Sequence, residues 1–186
     1  ETVIEMSGAF KNSRIKNAPE IPKNVLKVDE LFFGCYKLVT APKIPDMVES
    51  MKNVFNGCSS LSFAPSLDNL KVAEDFENTF KGCSSLIDAS NIILPKQATN
   101  LQSTFANCSS MVNPPNFNYV RGTNNRVVLG YTFDGCTNLT GKLTFDFYFD
   151  GIGQDVFRGT SKSILLEGNS STVNYFVNRF GNVRKG

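Results

Sequence analysis

The sequence predicts a mainly β repeat solenoid, a single domain over residues 1–186. Three observations predict it. The string FNGCSS at 55–60 returns as FKGCSS at 80–85 and as FANCSS at 105–110, each copy 25 residues after the last. Aligned on Phe, the chain repeats at Phe10, Phe32, Phe55, Phe80, Phe105, Phe133 and Phe157, with spacings of 22, 23, 25, 25, 28 and 24 residues. Three residues after each Phe stands Cys35, Cys58, Cys83, Cys108 or Cys136, with Ser13 and Thr160 in the first and last copies. A steady period of this size marks stacked coils, none of which can bury its apolar side alone.

The columns of the alignment justify each part of a coil. Four residues before Phe stand Met6, Val28, Met51, Phe76, Leu101 and Leu129. Three after Cys stand Leu38, Leu61, Leu86, Met111 and Leu139. These columns predict one continuous core of like residue on like residue. Gly34, Gly57, Gly82, Asn107 and Gly135 precede the Cys and suit a tight turn with positive φ. Pro19, Pro42, Pro65 and Pro114 then limit the run after Cys to a brief strand, because Pro cannot donate to a ladder.

The Cys column reads as one small, buried, reduced thiol per coil. A metal site wants paired ligands such as Cys-x-x-Cys, and none occurs. A catalytic Cys wants a His partner, and the chain contains no His. Stacked thiols could lie near disulfide distance, yet five equivalent positions cannot all pair.

Residues 1–22 read as a worn first repeat, and about seven repeats of 22–28 residues follow one another along the chain. The largest irregularity is NPPNFNYVRGTNNRV at 113–127, a loop by its Pro, Asn and Gly content. Insertions of this kind often sit on the binding face of a solenoid. Phe117, Tyr119, Arg121 and Arg126 are therefore the candidate partner-binding residues, being of types enriched at interface hot spots. The alternative is a turn whose aromatics pack back on the coil. The stretch 141–153 alternates Leu143, Phe145, Phe147 and Phe149 with polar neighbours and reads as a strand. Asp146 and Asp150 lack the further oxygen donors of a calcium loop. Residues 161–186 read as a C-terminal cap. Within it Val173, Phe176, Val177 and Phe180 share one face of a short helix over 171–180, with Ser170 or Ser171 as N-cap and Gly181 as its stop. Its polar face offers only Arg179 to a membrane surface.

The string VESMKNVFNGCSSLSFAP at 48–65, with weaker copies at 73–89 and 98–115, resembles the BspA-like leucine-rich repeats, a class of bacterial surface proteins. The resemblance spans roughly residues 3 to 166. It implies a curved, single-layer, right-handed coil, with narrow parallel strands from runs such as LSFAP and little helix before the C-terminus. It further implies a surface or secreted adhesion module, recognising a protein or glycan of a host or a neighbouring cell. Similar arrays in phage proteins imply the alternative, an attachment or structural module of a larger assembly.

Composition narrows the classes. Net charge is +2 and no charge run exists, which argues against a dedicated nucleic-acid binder. No stretch approaches the ~18 apolar residues of a membrane span. The chain starts at Glu1 with no Met, which reads as a processed or trimmed form lacking any targeting segment. Phosphate-loop, dinucleotide, hydrolase-elbow and kinase motifs are absent, so no enzyme activity, metal or cofactor is expected. Asn-x-Ser/Thr sequons occur at Asn107, Asn138 and Asn169, the first of them in a repeat turn.

Overall fold

The computed structural model describes residues 4–117, 120, 127–145, 154–160 and 164–186. Around each Phe the backbone runs through linked turns. Phe33 N–H donates to Glu30 O and Cys35 N–H to Phe32 O, both at 3.0 Å. The alternate N–H groups leave the coil: Glu30, Phe32 and Gly34 donate to Lys52, Val54 and Asn56 of the next coil at 3.0, 2.9 and 2.7 Å. The same triplet recurs from Asn53, Phe55 and Gly57 to Glu77, Thr79 and Lys81. Backbone donors that a strand would send to its neighbours are thus shared between a turn and the next coil, and the buried peptide groups find partners.

Two left-handed residues per coil make this route possible. One is the expected position before Cys, with φ of +71° at Gly34, +77° at Gly57 and +60° at Asn107. The other lies two residues before Phe, at Glu30, Asn53, Asn78, Ser103, Tyr131 and Asp155.

Stacking follows directly. Phe10, Phe32, Phe55, Phe80, Phe105, Phe133 and Phe157 form one column of near-parallel rings, centroids 5.4–5.8 Å apart. The columns of Leu, Met and Val predicted on either side are buried with them. All five thiols are free and buried, as the sequence suggests. Each thiol donates to the Phe carbonyl one coil back: Cys35 to Phe10, Cys58 to Phe32, Cys83 to Phe55, Cys108 to Phe80 and Cys136 to Phe105, at 2.9–3.3 Å. In the later coils Thr79, Thr104 and Thr132 bond back in the same manner, Thr79 Oγ1 reaching Met51 O at 2.9 Å.

The expected strands after each Cys are shorter than predicted. They are single-residue parallel bridges, such as Asn17 to Thr40, Thr40 to Phe63 and Asp88 to Asn113. A second line of bridges joins Ser50, Asp75, Asn100 and Val128. The turn bonds on one side and the Pro residues on the other leave too few donors for a longer ladder. Extended strands form where the repeat wears out: β1 (Lys142–Phe145), β2 (Ile164–Gly168) and β3 (Val183–Lys185) make one parallel sheet in the order β1-β2-β3. The remainder of the strand expected at 141–153 lies outside the described residues.

One helix, α1 (Ser170–Arg179), follows β2, within a residue of the expected span at each end. Its caps differ from the expectation. Asn169, not Ser170 or Ser171, is the N-cap, accepting from Ser171 N–H and Thr172 N–H at 3.0 and 3.2 Å. The helix stops because Phe180 turns extended (φ −120°, ψ 111°), ahead of Gly181. Phe176 and Phe180 meet the last stacked ring, Phe157, edge-on at 5.5 and 5.7 Å. Asn182 Nδ2 reaches Phe157 O at 2.8 Å and so does at this end what a Cys thiol does elsewhere. At the other end Phe10 is half-buried, with Phe32 against one face of its ring.

Candidate binding surface

The residues proposed from the insertion divide. Phe117 is 1% exposed, packed edge-on against Phe133 at 5.9 Å and tilted against Phe145 at 5.3 Å. As a surface contact it is corrected: its ring fills the core where the 28-residue coil would otherwise leave space. Tyr119, Arg121 and Arg126 lie outside the described residues.

A different surface stands out among the described residues. The leucine column after each Cys points inward, so the next two side chains face solvent. Four of these are large and apolar: Val39 at 38% exposed, Phe63 at 65%, Ile87 at 59% and Val112 at 37%. They lie on successive coils, registered by Ser62 N–H to Val39 O at 2.9 Å, the Thr40–Phe63 bridge, and Val112 N–H to Ile87 O at 2.8 Å. Beside them run half-buried serines, with Ser84 Oγ held on Ser59 O at 3.3 Å. These short, tethered side chains leave the apolar row standing proud. A contiguous exposed apolar row of this kind is unusual on a protein surface and marks an interaction site.

The charge of this face is uneven. At its N-terminal end Arg14, Lys16 and Lys37 are exposed. Val39 N–H bonds Lys16 O at 3.1 Å, which places Lys16 directly beside the row. The acid among these outward positions is Asp88, whose carboxylate is held below its usual range by its hydrogen bonds with Ser90.

The Pro-bearing edge of the solenoid holds two open grooves of about 710 and 650 Å³. They form where coils of 22 and 23 residues adjoin coils of 25 and 28 and the longer ones overhang. Ile44, Pro42 and Pro45 floor one, with Lys71 and Asp46 paired across its rim at 3.3 Å. Asp46 is held low by Asn69 Nδ2 and by Lys71.

Chemistry at the thiols is closed off. Burial pushes Cys58 and Cys136 up to about 12, and Cys83 and Cys108 well above the ordinary range. Among the described residues no group of three or more His, Cys, Asp or Glu side chains could hold a metal ion. No helix among them is long and apolar enough to cross a membrane.

Comparisons with known proteins agree with this architecture. The family described as the BspA type leucine rich repeat region matches residues 3–118 in 6 copies. A leucine-rich repeat protein of Bacteroides ovatus is similar in structure, with a TM-score of 0.59 and 21% identity over 89% of this chain. The leucine-rich repeat protein of T. pallidum aligns with a TM-score of 0.62 and 23% identity over 84% of this chain and 71% of its own. This chain spans 43% of the length of the B. ovatus protein. No curated protein matches.

Proposed function

The chain belongs to the BspA type leucine rich repeat family, and from that premise we propose that it is a non-catalytic protein-binding module whose contact surface is the apolar row Val39, Phe63, Ile87 and Val112. The observation that carries this reading is that row itself. Four apolar side chains of successive coils face solvent although the same coils bury their other large apolar columns. Solenoids bind through extended surfaces rather than deep pockets. The setting in which such a module acts is, on our reading, the bacterial surface or the medium around it. There the partner is a component of a host or a neighbouring cell. Tyr119, Arg121 and Arg126 of the insertion stay within the proposal as flanking contacts.

A binding screen against extracellular-matrix proteins and glycans tests this. Phe63→Ser should abolish or weaken a specific hit at least about tenfold, as loss of an aromatic anchor does. Because Phe63 is 65% exposed, the variant should unfold at nearly the wild-type temperature. A hit retained in full by Phe63→Ser would move the site elsewhere. No hit with well-folded protein would favour the attachment-module alternative.

A further inference from the structure

We propose that the occupant of the row is an acidic amphipathic α-helix of a protein partner, lying along the solenoid axis with its C-terminal end over Arg14, Lys16 and Lys37. This rests on the binding role of the row and specifies what fills it.

Geometry is the first argument. The row runs across the coils, so its apolar side chains recur once per coil. Hydrogen-bonded neighbours of this kind are spaced about 4.8 Å. A helix presents one apolar position per turn of about 5.4 Å. Across three intervals the two fall only about 2 Å out of step, within the reach of a side-chain rotamer. An extended peptide laid along the same line presents a side chain to one face every ~6.7 Å and loses register after one coil. Nor can a strand be added by backbone pairing, because the bonds of this face run between coils: Val39 N–H to Lys16 O, Ser62 N–H to Val39 O and Thr140 N–H to Val112 O.

Charge is the second argument. Arg14, Lys16 and Lys37 are exposed at one end of the row and enter no ion pair among the described residues. Asp88 sits toward the other end, ionised by virtue of Ser90. A helix carries negative partial charge at its C-terminus and positive at its N-terminus. The orientation with its C-terminus over the basic end satisfies both, and acidic side chains there add to it. The low serine ledge beside the row, at Ser59 and Ser84, gives a helix backbone room to approach.

The test uses a labelled synthetic peptide of about 16 residues, with Leu at i, i+4, i+7 and i+11 and Glu in its last turn. A second peptide has the same composition apart from two central prolines, which break the helix. Fluorescence anisotropy against the whole chain should show binding of the helical peptide. The proline peptide should bind at least about tenfold more weakly, and Phe63→Ser should weaken the helical peptide about as much. Lys16→Glu should weaken it severalfold, an effect that fades at high salt. Equal binding of both peptides, lost in Phe63→Ser, would overturn the helix and leave the row as a binding surface. Binding of the helical peptide unaffected by Phe63→Ser would overturn both. No binding up to about 1 mM, the weak limit of specific affinity, would overturn the helix proposal whatever the screen returns.

Discussion

At Cys83 one residue ties three coils together. Its N–H bonds Phe80 O at 3.1 Å, its thiol bonds Phe55 O at 3.3 Å, and Phe80 O in turn accepts the Cys108 thiol. Neither Ala nor Val offers that donor, which accounts for a Cys column in a chain with no use for Cys chemistry. The buried thiols have a consequence for pH. Burial raises Cys58 and Cys136 to about 12, whereas an unfolded thiol ionises near ~8.5. The folded state therefore holds these protons more tightly. The stability this represents is whole below about pH 8.5 and is lost as pH rises toward about 12, by up to ~1.4 kcal/mol per pH unit for each thiol. Urea unfolding between about pH 9 and 11 should fall less steeply in Cys58→Ala than in wild type, by about that slope. Equal slopes would place Cys58 in contact with water. Gly57 is the second residue of note. Its φ is +77°, and a Cβ there would stand 3.6 Å from Gly34 Cα, an ordinary contact. Gly57→Ala should thus cost about 1–2 kcal/mol from backbone strain alone, and Gly57→Asn less, by chemical denaturation.

The elements owe their positions to the Phe column and to its ends. Phe80 lies fully buried between Phe55 and Phe105, with ring centroids 5.4 Å away on each side. Phe80→Ala should cost about 3–5 kcal/mol, and a loss below ~1 kcal/mol would remove it from the central stack. In α1, Asn169→Ala should cost about 1 kcal/mol of stability while Ser170→Ala changes little, which separates the observed cap from the one expected. Much at this scale was legible. The Phe, Leu and Cys columns named the core, and the i, i+3, i+4, i+7 pattern named the helix. What escaped has a physical reason in each case. Glu30, Asn53, Ser103 and Tyr131 share a left-handed backbone but no side-chain chemistry, so no column announced the second turn. The three residues of β3 are too few to show a period. The brief strands dwindled to bridges because the donors they needed were already committed to turns.

For the molecule as a whole, the recurring residues face inward and the individuality lies outside. That is why the surface was harder to read than the core. Val39, Ile87 and Val112 occupy one column and Phe63 the next, so no alignment column is apolar throughout, and only the folded coil sets them side by side. The insertion misled for the converse reason: a loop aromatic was taken for a contact, whereas the longer coil turns Phe117 inward onto Phe133. The two Pro-edged grooves are likewise visible only after folding, as steps between coils of unequal length. The most direct test of the row is covalent footprinting of the protein alone and bound to the partner the screen selects. Labelling at Val39, Phe63, Ile87 and Val112 should fall on binding, while labelling around Pro42, Lys71 and Lys96 stays unchanged. Protection at the grooves with the row still fully labelled would contradict the account.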